Sequence, residues 1–379
     1  MGTISTLAAL SLYAITLPLL AKPSNEAFVE KIETVFANKF APNAPGCSVG
    51  VIQDNQLIFS KGYGLANLEH DIPLSADSIF RMASVSKQFT ATAVLLLADE
   101  GLIDLQEDIR SYLPELADYG SKVTVNAMLG HFAGMGDYDM VGDSYEGKAK
   151  GQHNSLKSAA GGEFRLGNED YLSIDEFYQV VKKLPLKRKP DTKMEYSNFA
   201  YFLLSMLVEE QSGMTLREYS EKNIFKPLGM QHTFFSDDAN EIVKNRASGY
   251  APLKEGGYET NMTNLFWVGD GGLHTSITEL LLWDQQFYTP KLGKNPQEFL
   301  KKMLTPNSKH ELGGKLYANG QFVKSMDKMT KYSHSGGWLG TSTYYARIPE
   351  EKLSVAVLCN DVSQSPGKYS NQILDSYFN

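Results

Sequence analysis

Cysteine is scarce in this chain, and positive charge is not in excess. Only two of the 379 residues are cysteines, which excludes a disulfide-rich scaffold and a cysteine-rich zinc module. The 36 basic residues are outnumbered by 44 acidic ones, for a net charge of −8, and this argues against a nucleic-acid-binding protein. The seven histidines are scattered, so no metal site is predicted, although three ligands distant in sequence would escape this test. With 42% hydrophobic and 21% charged residues, the chain has the composition of a globular protein, not of a disordered, collagen-like or multi-span membrane protein.

One long apolar segment stands at the N-terminus. Residues 4–21 carry no charge, and Lys22 follows them directly. This pattern is typical of a secretory signal peptide with cleavage near Ala21, which would place the mature protein outside the cytoplasm, in the periplasm or the medium. No basic residue precedes the segment, and Leu19 is larger than a cleavage site prefers. An uncleaved membrane anchor and a buried helix therefore stay as alternatives.

Strand patterns lie near both ends of the chain and helical patterns lie in the middle. The clearest predicted helices are at 25–40, 86–100, 174–184 and 200–212, with a last one at about 369–377. Predicted strands are at 47–52, 56–61, 341–348 and 353–360, with a hairpin around Asn319-Gly320. This order predicts an α+β fold, in which an antiparallel sheet built from both chain ends is flanked by helices and a mainly helical lobe is inserted.

The chain is longer than one hydrophobic core usually organises, so two lobes are expected. The folded unit is predicted to span residues 25–379. Its sheet lobe comprises about 25–105 plus 246–379, and its helical lobe comprises about 106–245. The polar, glycine-rich stretch at 142–167 is predicted to be a surface loop, or a lid over the site.

The first candidate site motif is a serine followed three residues later by a lysine. Ser84 and Lys87 lie at the start of a predicted helix, and this spacing places them one turn apart on the same face. Free N–H groups and the dipole at a helix N-terminus favour negative charge on an attacked carbonyl oxygen. Since a neutral or proton-sharing lysine accepts a hydroxyl proton, Ser84 is a candidate nucleophile. In isolation, the pair also fits a capping serine and a solvated lysine.

The second motif is Tyr196-Ser197-Asn198, which precedes another predicted helix. A tyrosine beside a lysine cation is expected to have a phenol pKa below its ordinary value of about 10, which favours a phenolate base. The Asn198 carboxamide is able to hold a substrate amide or the lysine. In isolation, an asparagine at this place is equally a helix cap.

The third motif is His-Ser-Gly-Gly-Trp at 334–338, just before a predicted strand. The paired glycines, Gly336 and Gly337, allow a ligand to approach the backbone closely. The N–H of Gly337 is a candidate second donor to an oxyanion. A glycine turn before a strand explains the isolated pentapeptide equally well.

Together and in this order, the three motifs are much more specific. S-x-x-K, S-D-N and K-T-G form the corresponding triplet in class A β-lactamases and penicillin-binding proteins. With tyrosine in the second motif and histidine in the third, the chain resembles the class C β-lactamase-related family of serine hydrolases, which includes D-Ala-D-Ala carboxypeptidases, D-aminopeptidases and esterases. The segments at 79–83, 95–105, 128–135 and 271–276 also resemble that family. The resemblance spans roughly 30–360 and implies a β-lactamase/transpeptidase-like fold.

The resemblance implies catalysis through an acyl-enzyme. Ser84 would attack the carbonyl, and Lys87 and Tyr196 would move the proton as a coupled pair, with the choice of base left open. The backbone N–H groups of Ser84 and Gly337 would hold the oxyanion, and Asn198 would position the substrate. No metal or organic cofactor is implied.

The resemblance also assigns the third motif, with His334 and Gly336, to substrate binding. Relatives that bind a substrate carboxylate often carry lysine at this place, whereas a histidine is largely neutral at neutral pH. Peptidase or esterase activity is therefore expected ahead of efficient β-lactam hydrolysis. The family sheet sets its first strand beside its last, so Cys47 and Cys359 form either a disulfide or two separate buried thiols.

The predicted function is therefore a serine hydrolase acting on a small-molecule or peptide substrate with an amide or ester bond. No nucleic-acid partner is expected, membrane contact is expected only if the leader is retained, and the oligomeric state is not indicated. One alternative is a penicillin-binding-like module that binds cell-wall peptides or a partner with little turnover. A membrane-anchored structural protein is the other.

Overall fold

The computed structural model describes residues 25–141, 173–238, 240–263 and 268–378. The predicted signal segment at 1–21 and the predicted loop at 142–167 lie outside these residues. In the ranges described, no helix combines the length and apolar character needed to cross a membrane.

The strands cluster toward the two ends of the chain, as the sequence predicts. In chain order they are β1 (Cys47–Gln53), β2 (Gln56–Tyr63), β3 (Leu65–Asn67), β4 (Ile72–Pro73), β5 (Phe80–Arg81), β6 (Phe234–Phe235), β7 (Tyr250–Pro252), β8 (Tyr258–Thr260), β9 (Leu273–Thr275), β10 (Leu316–Ala318), β11 (Gln321–Met326), β12 (Met329–Trp338), β13 (Thr341–Ile348) and β14 (Leu353–Cys359).

The described helices include one at each end of the described region and several between the strands. They are α1 (Asn25–Phe36), α2 (Lys87–Glu100), α3 (Val125–Leu129), α4 (Ile174–Val181), α5 (Asn198–Ser212), α6 (Leu216–Ser220), α7 (Lys226–Leu228), α8 (Ile277–Gln285), α9 (Pro296–Leu304) and α10 (Pro366–Phe378). A 3-10 turn at Ala83–Ser86 leads directly into α2. The first helix ends at Phe36, earlier than the predicted 40, and Asn38 has a positive φ of 58°.

Seven strands form one antiparallel sheet in the order β10-β11-β12-β13-β14-β1-β2. Strands from the two chain ends meet within it, where β1 pairs with β14 near one edge. The predicted α+β architecture is confirmed. The three short strands β5, β9 and β6 form a separate sheet beside the 3-10 turn.

Both faces of the interior strand β14 are buried. Its side chains point alternately to the two faces of the sheet, and a hydrophobic cluster covers each face. Val355 and Val357 pack with α1 and α10 on one face, whereas Ala356 and Leu358 belong to the larger cluster that contains α2, α5 and α8. The contact between α2 and α5 joins residues on opposite sides of the predicted lobe boundary. The large cluster therefore fixes the start of α2, where Ser84 and Lys87 lie.

A disulfide joins the first and last strands of the sheet. Cys47 and Cys359 are directly opposite in the register and fully buried, with a Cα–Cα distance of 4.0 Å. The first strand therefore lies beside the last, as the family resemblance implies, and the disulfide links residues 312 positions apart.

Removing the disulfide is expected to destabilise the protein. A closed loop of this length restricts the unfolded chain strongly, so the double variant Cys47→Ala/Cys359→Ala should lose up to about 5 kcal/mol of unfolding free energy. Urea unfolding of the variant and the oxidised protein measures the difference. Coincident unfolding curves would contradict the expectation.

Candidate active site

The first sequence motif folds into a nucleophile and a lysine in direct contact. The turn at Ala83–Ser86 and the following helix place Lys87 Nζ 3.1 Å from Ser84 Oγ. Ser84 is partly exposed, whereas Lys87 is completely buried. Ala83, just before the serine, has a positive φ of 45°, a strained conformation for a residue with a side chain. The predicted one-turn geometry is confirmed.

Two further oxygen atoms hold the lysine amine. Lys87 Nζ donates to Asn198 Oδ1 at 2.7 Å and to the main-chain carbonyl of Asp270 at 2.6 Å. A carbonyl oxygen only accepts, so these two bonds use two N–H groups of the amine. When Lys87 is neutral, its lone pair is left for the third direction, toward the Ser84 hydroxyl. The geometry therefore suits removal of a proton from Ser84.

The orientation of the Asn198 carboxamide is fixed from its other end. Its Nδ2 donates to both carboxylate oxygens of Asp137, at 2.9 and 3.2 Å. A carboxylate accepts only, so Nδ2 must face Asp137 and Oδ1 must face Lys87. Of the two roles predicted for Asn198, the structure shows that of holding the lysine.

Burial changes the proton affinity of Lys87. Loss of hydration lowers its pKa to about 8, against the opposing effect of the Asp270 and Asp137 charges. A measurable fraction of the amine is therefore neutral near neutral pH, as a general base requires.

Tyr196 differs from its prediction. Lys87 Nζ lies 4.9 Å from the centre of the Tyr196 ring, so the expected neighbours do meet. Burial nevertheless raises the phenol pKa well above its ordinary value, with Ser84 acting in the opposite direction. The buried hydroxyl has no partner in hydrogen-bond geometry within the described ranges. The expectation of a lowered phenol pKa is wrong, because desolvation dominates and the Asp270 and Asp137 charges act in the same direction. Tyr196 therefore rests as a neutral phenol.

The active-site cleft has a volume of about 90 Å³. Its polar lining consists of Arg81, Ser84, Tyr138, Asn198 and Asp270, and Gly337 and Trp338 also line it.

Three of the residues that line the cleft had no predicted role, namely Arg81, Tyr138 and Asp270. Arg81 Nε donates to the carbonyl of Gly271 at 3.1 Å, and Tyr138 donates to Asp270 Oδ2 in a short hydrogen bond. Asp270 immediately precedes the family-like segment at 271–276, and Tyr138 lies three residues beyond the one at 128–135. Their positions beside those segments are the only sequence signal that points to them.

The two glycines of the third motif have different surroundings. Both lie in β12, where the sequence also allowed a turn. A Cβ on Gly336 would stand 2.2 Å from the Met82 carbonyl oxygen and 2.3 Å from Thr343 Oγ1. A Cβ on Gly337 would meet no atom of the described chain within 4 Å. Gly336 therefore lets the strand approach the turn that carries Ser84, and Gly337 faces the cleft.

This contrast gives a matched pair of variants. Gly336→Ala is expected to lower the unfolding free energy by about 1–3 kcal/mol, because strand and turn must separate. Gly337→Ala should unfold like the wild type, since space is free at that position. Thermal and urea unfolding of both variants test this. An unchanged Gly336→Ala protein would contradict the close approach.

His334 lies beside the cleft without lining it. It is 3% exposed, and its Nε2 is 3.0 Å from the Tyr317 hydroxyl. The His131 ring packs at 4.5 Å from that of Tyr317 and at 4.3 Å from that of Tyr196. Burial lowers the pKa of His334 to about 3 and that of His131 well below its ordinary value. Both rings are therefore neutral, and His334 offers no cation to a substrate carboxylate.

Comparison with known proteins finds relatives over most of this chain. The D-aminopeptidase of Gluconobacter oxydans is 25% identical over 84% of this chain, which spans 56% of that relative's length. Penicillin-binding protein 4* of Bacillus subtilis is 25% identical, with 90% of this chain and 74% of the relative covered. The structure of the octameric penicillin-binding protein homologue from Pyrococcus abyssi superposes with a TM-score of 0.73 at 26% identity, covering 92% of this chain and 76% of the other.

The family profile described as Beta-lactamase matches residues 30–375, nearly the whole described region. With the antiparallel sheet and the Ser84–Lys87 contact in place, this chain belongs to the Beta-lactamase family of serine hydrolases.

Proposed function

We propose that this protein hydrolyses amide or ester bonds through an acyl-enzyme on Ser84. The observation that carries the proposal is the position of the Lys87 amine, which is held by two acceptors and faces the Ser84 hydroxyl. Lys87 is the general base, since its pKa is lowered to about 8 whereas that of the Tyr196 phenol is raised.

In the first half-reaction, Ser84 Oγ attacks the substrate carbonyl carbon while Lys87 takes the hydroxyl proton. The main-chain N–H groups of Ser84 and Gly337 stabilise the oxyanion, consistent with the place of Gly337 in the cleft. The carbon–nitrogen or carbon–oxygen bond to the leaving group then breaks. The leaving group takes a proton from Tyr196, which recovers one from Lys87.

In the second half-reaction, water attacks the ester on Ser84. Lys87, neutral again, accepts a proton from the water and passes it to Ser84 Oγ as the ester bond breaks, so the serine leaves as an alcohol. The acid product then departs, so each cycle consumes one water and needs no cofactor.

The substrate class follows from charge. Because His334 is neutral and buried, the third motif supplies no permanent cation for the carboxylate of a β-lactam. The D-aminopeptidase relative supports a peptide or amide substrate. We therefore rank peptidase, amidase or esterase activity above efficient β-lactamase activity.

A substrate panel tests the proposed function. p-Nitrophenyl esters, D-amino-acid amides, D-Ala-D-Ala peptides and nitrocefin should be offered to the wild type and to Ser84→Ala. Ser84-dependent turnover of an ester or amide exceeding that of nitrocefin is expected. Stable acylation without turnover would favour the penicillin-binding-like module, and faster nitrocefin hydrolysis would contradict the ranking.

We also propose an extracytoplasmic location, with the leader removed. The buried disulfide between Cys47 and Cys359 supports an oxidising compartment. Cell fractionation with N-terminal sequencing of the mature protein tests this. A chain retained in the membrane with residues 1–21 intact would instead establish the anchored alternative.

A further inference from the structure

The Asp270 carboxylate has no role in the proton transfers above. The hydrogen bond from Lys87 Nζ goes to the main-chain carbonyl of Asp270 and not to its side chain. The side chain is 6% exposed, and the residue lines the cleft together with Ser84. A buried carboxylate in this position is costly unless a partner compensates it.

One carboxylate oxygen has a partner and the other does not. Tyr138 donates to Oδ2. Oδ1 is buried and receives no hydrogen bond from any residue in the described parts of the chain. Unpaired buried oxygens are rare in folded proteins, and one that lines a cleft is suited to a ligand that donates hydrogen bonds.

The position of Asp270 indicates which part of a substrate would meet it. Lys87 Nζ contacts Ser84 Oγ at 3.1 Å and the Asp270 carbonyl at 2.6 Å, so both residues adjoin one amine. A substrate carbonyl carbon must lie against Ser84 Oγ, and a group on the neighbouring α-carbon then lies in the same cleft that Asp270 lines. A primary ammonium there supplies the N–H donors that Oδ1 lacks, beside a carboxylate whose charge Lys87 and Arg81 already stabilise.

Resting on the proposed function, we propose that Asp270 binds the α-ammonium of the substrate's acyl part. The preferred substrates are accordingly amides or esters of amino acids and peptides with a free N-terminus. Tyr138 is a positioning residue that holds the carboxylate through its hydroxyl.

A second explanation of Asp270 makes a different prediction. Its charge opposes the lowering of the Lys87 pKa, and the Asp137 charge acts on Lys87 in the same way. If Asp270 served only to balance the lysine, its removal would affect substrates with and without an ammonium equally. Asp137 accepts two hydrogen bonds from Asn198 and is not among the cleft-lining residues, so it provides a matched charge control.

A pair of boronic acids measures the preference without requiring turnover. Racemic 1-aminoethylboronic acid and ethylboronic acid differ in the amine, and both form reversible adducts with a nucleophilic serine. Their inhibition constants should be measured by competition with fluorophosphonate labelling of the full-length protein. We expect the wild type to bind the amine at least about tenfold more tightly, a factor typical of one charge-assisted contact.

The variants decide between the two explanations. Asp270→Asn should bind the two boronic acids within about twofold of each other, whereas Asp137→Asn should keep the wild-type preference. Tyr138→Phe keeps the carboxylate and should reduce the preference, so it serves if Asp270→Asn does not fold. If the wild type binds the two boronic acids equally, or if the preference for the amine persists in Asp270→Asn, the ammonium site is overturned and the proposed function is not. A wild type that reacts with neither boronic acid nor fluorophosphonate would overturn the proposed function as well.

Discussion

Ser84→Ala is expected to lower the rate of ester or amide hydrolysis by about a thousandfold or more, to near the background rate. In the proposed mechanism the acyl bond forms on Ser84 Oγ, and the variant removes this atom, which lies 3.1 Å from Lys87 Nζ. The fold should be unaffected, since Ser84 is partly exposed and an alanine fits in its place. Initial rates on a p-nitrophenyl ester, with thermal unfolding in parallel, measure both effects.

Ser60→Ala is a suitable control for this variant. Ser60 is exposed on the edge strand β2 and is not among the cleft-lining residues, so its loss should leave hydrolysis unchanged. Equal activity of Ser84→Ala and wild type would exclude Ser84 as the nucleophile. Equal losses in both serine variants would indicate general disturbance of the site.

The pH dependence of acylation should follow the titration of the Lys87 amine. Only the neutral amine accepts a proton, and burial lowers the Lys87 pKa to about 8. The value of kcat/KM should therefore rise about tenfold per pH unit below pH 8 and level off above it. Measurement between pH 5.5 and about 10 on a neutral ester avoids titration of the substrate. A profile that is flat across this range would contradict the role of Lys87 as the base.

Lys87→Met is the companion variant, because it keeps the apolar stem of the side chain and removes the amine. We expect a loss of about 10²–10⁴-fold in kcat/KM together with loss of the pH step near 8.

Tyr196→Phe tests whether the phenol, and not the Lys87 amine, is the base. It should slow turnover but keep the pH step, since the phenol stays protonated through this range. A step that disappears in Tyr196→Phe and persists in Lys87→Met would reverse the assignment.

The contact between Ser84 and Lys87 follows from sequence because it is local. Three residues of helical backbone fix their separation, whatever surrounds them. The hairpin at Asn319-Gly320 was predictable for the same reason, since its turn geometry requires positive φ at both residues, as observed. The motif with Tyr196 and Asn198 fits a helix cap equally well in isolation, so only its combination with the other two motifs and the family resemblance favoured a catalytic role.

The remaining features depend on tertiary structure. Asp270 holds Lys87 through a main-chain carbonyl, so its side-chain type gives no indication of that contact. β12 was not predicted as a strand because Gly336 and Gly337 are typical of a turn, and only their packing explains them. The shift in the Tyr196 pKa results from burial, which no local pattern reveals.

Peptide mapping of the covalent adduct tests the central claim most directly. The wild type should be labelled with a fluorophosphonate, digested and analysed by tandem mass spectrometry, with Lys87→Met treated in parallel. We expect one modified residue, Ser84, labelled rapidly in the wild type and much more slowly without the lysine amine. Labelling on another residue, or equal labelling rates of Ser84 in both proteins, would contradict the claim.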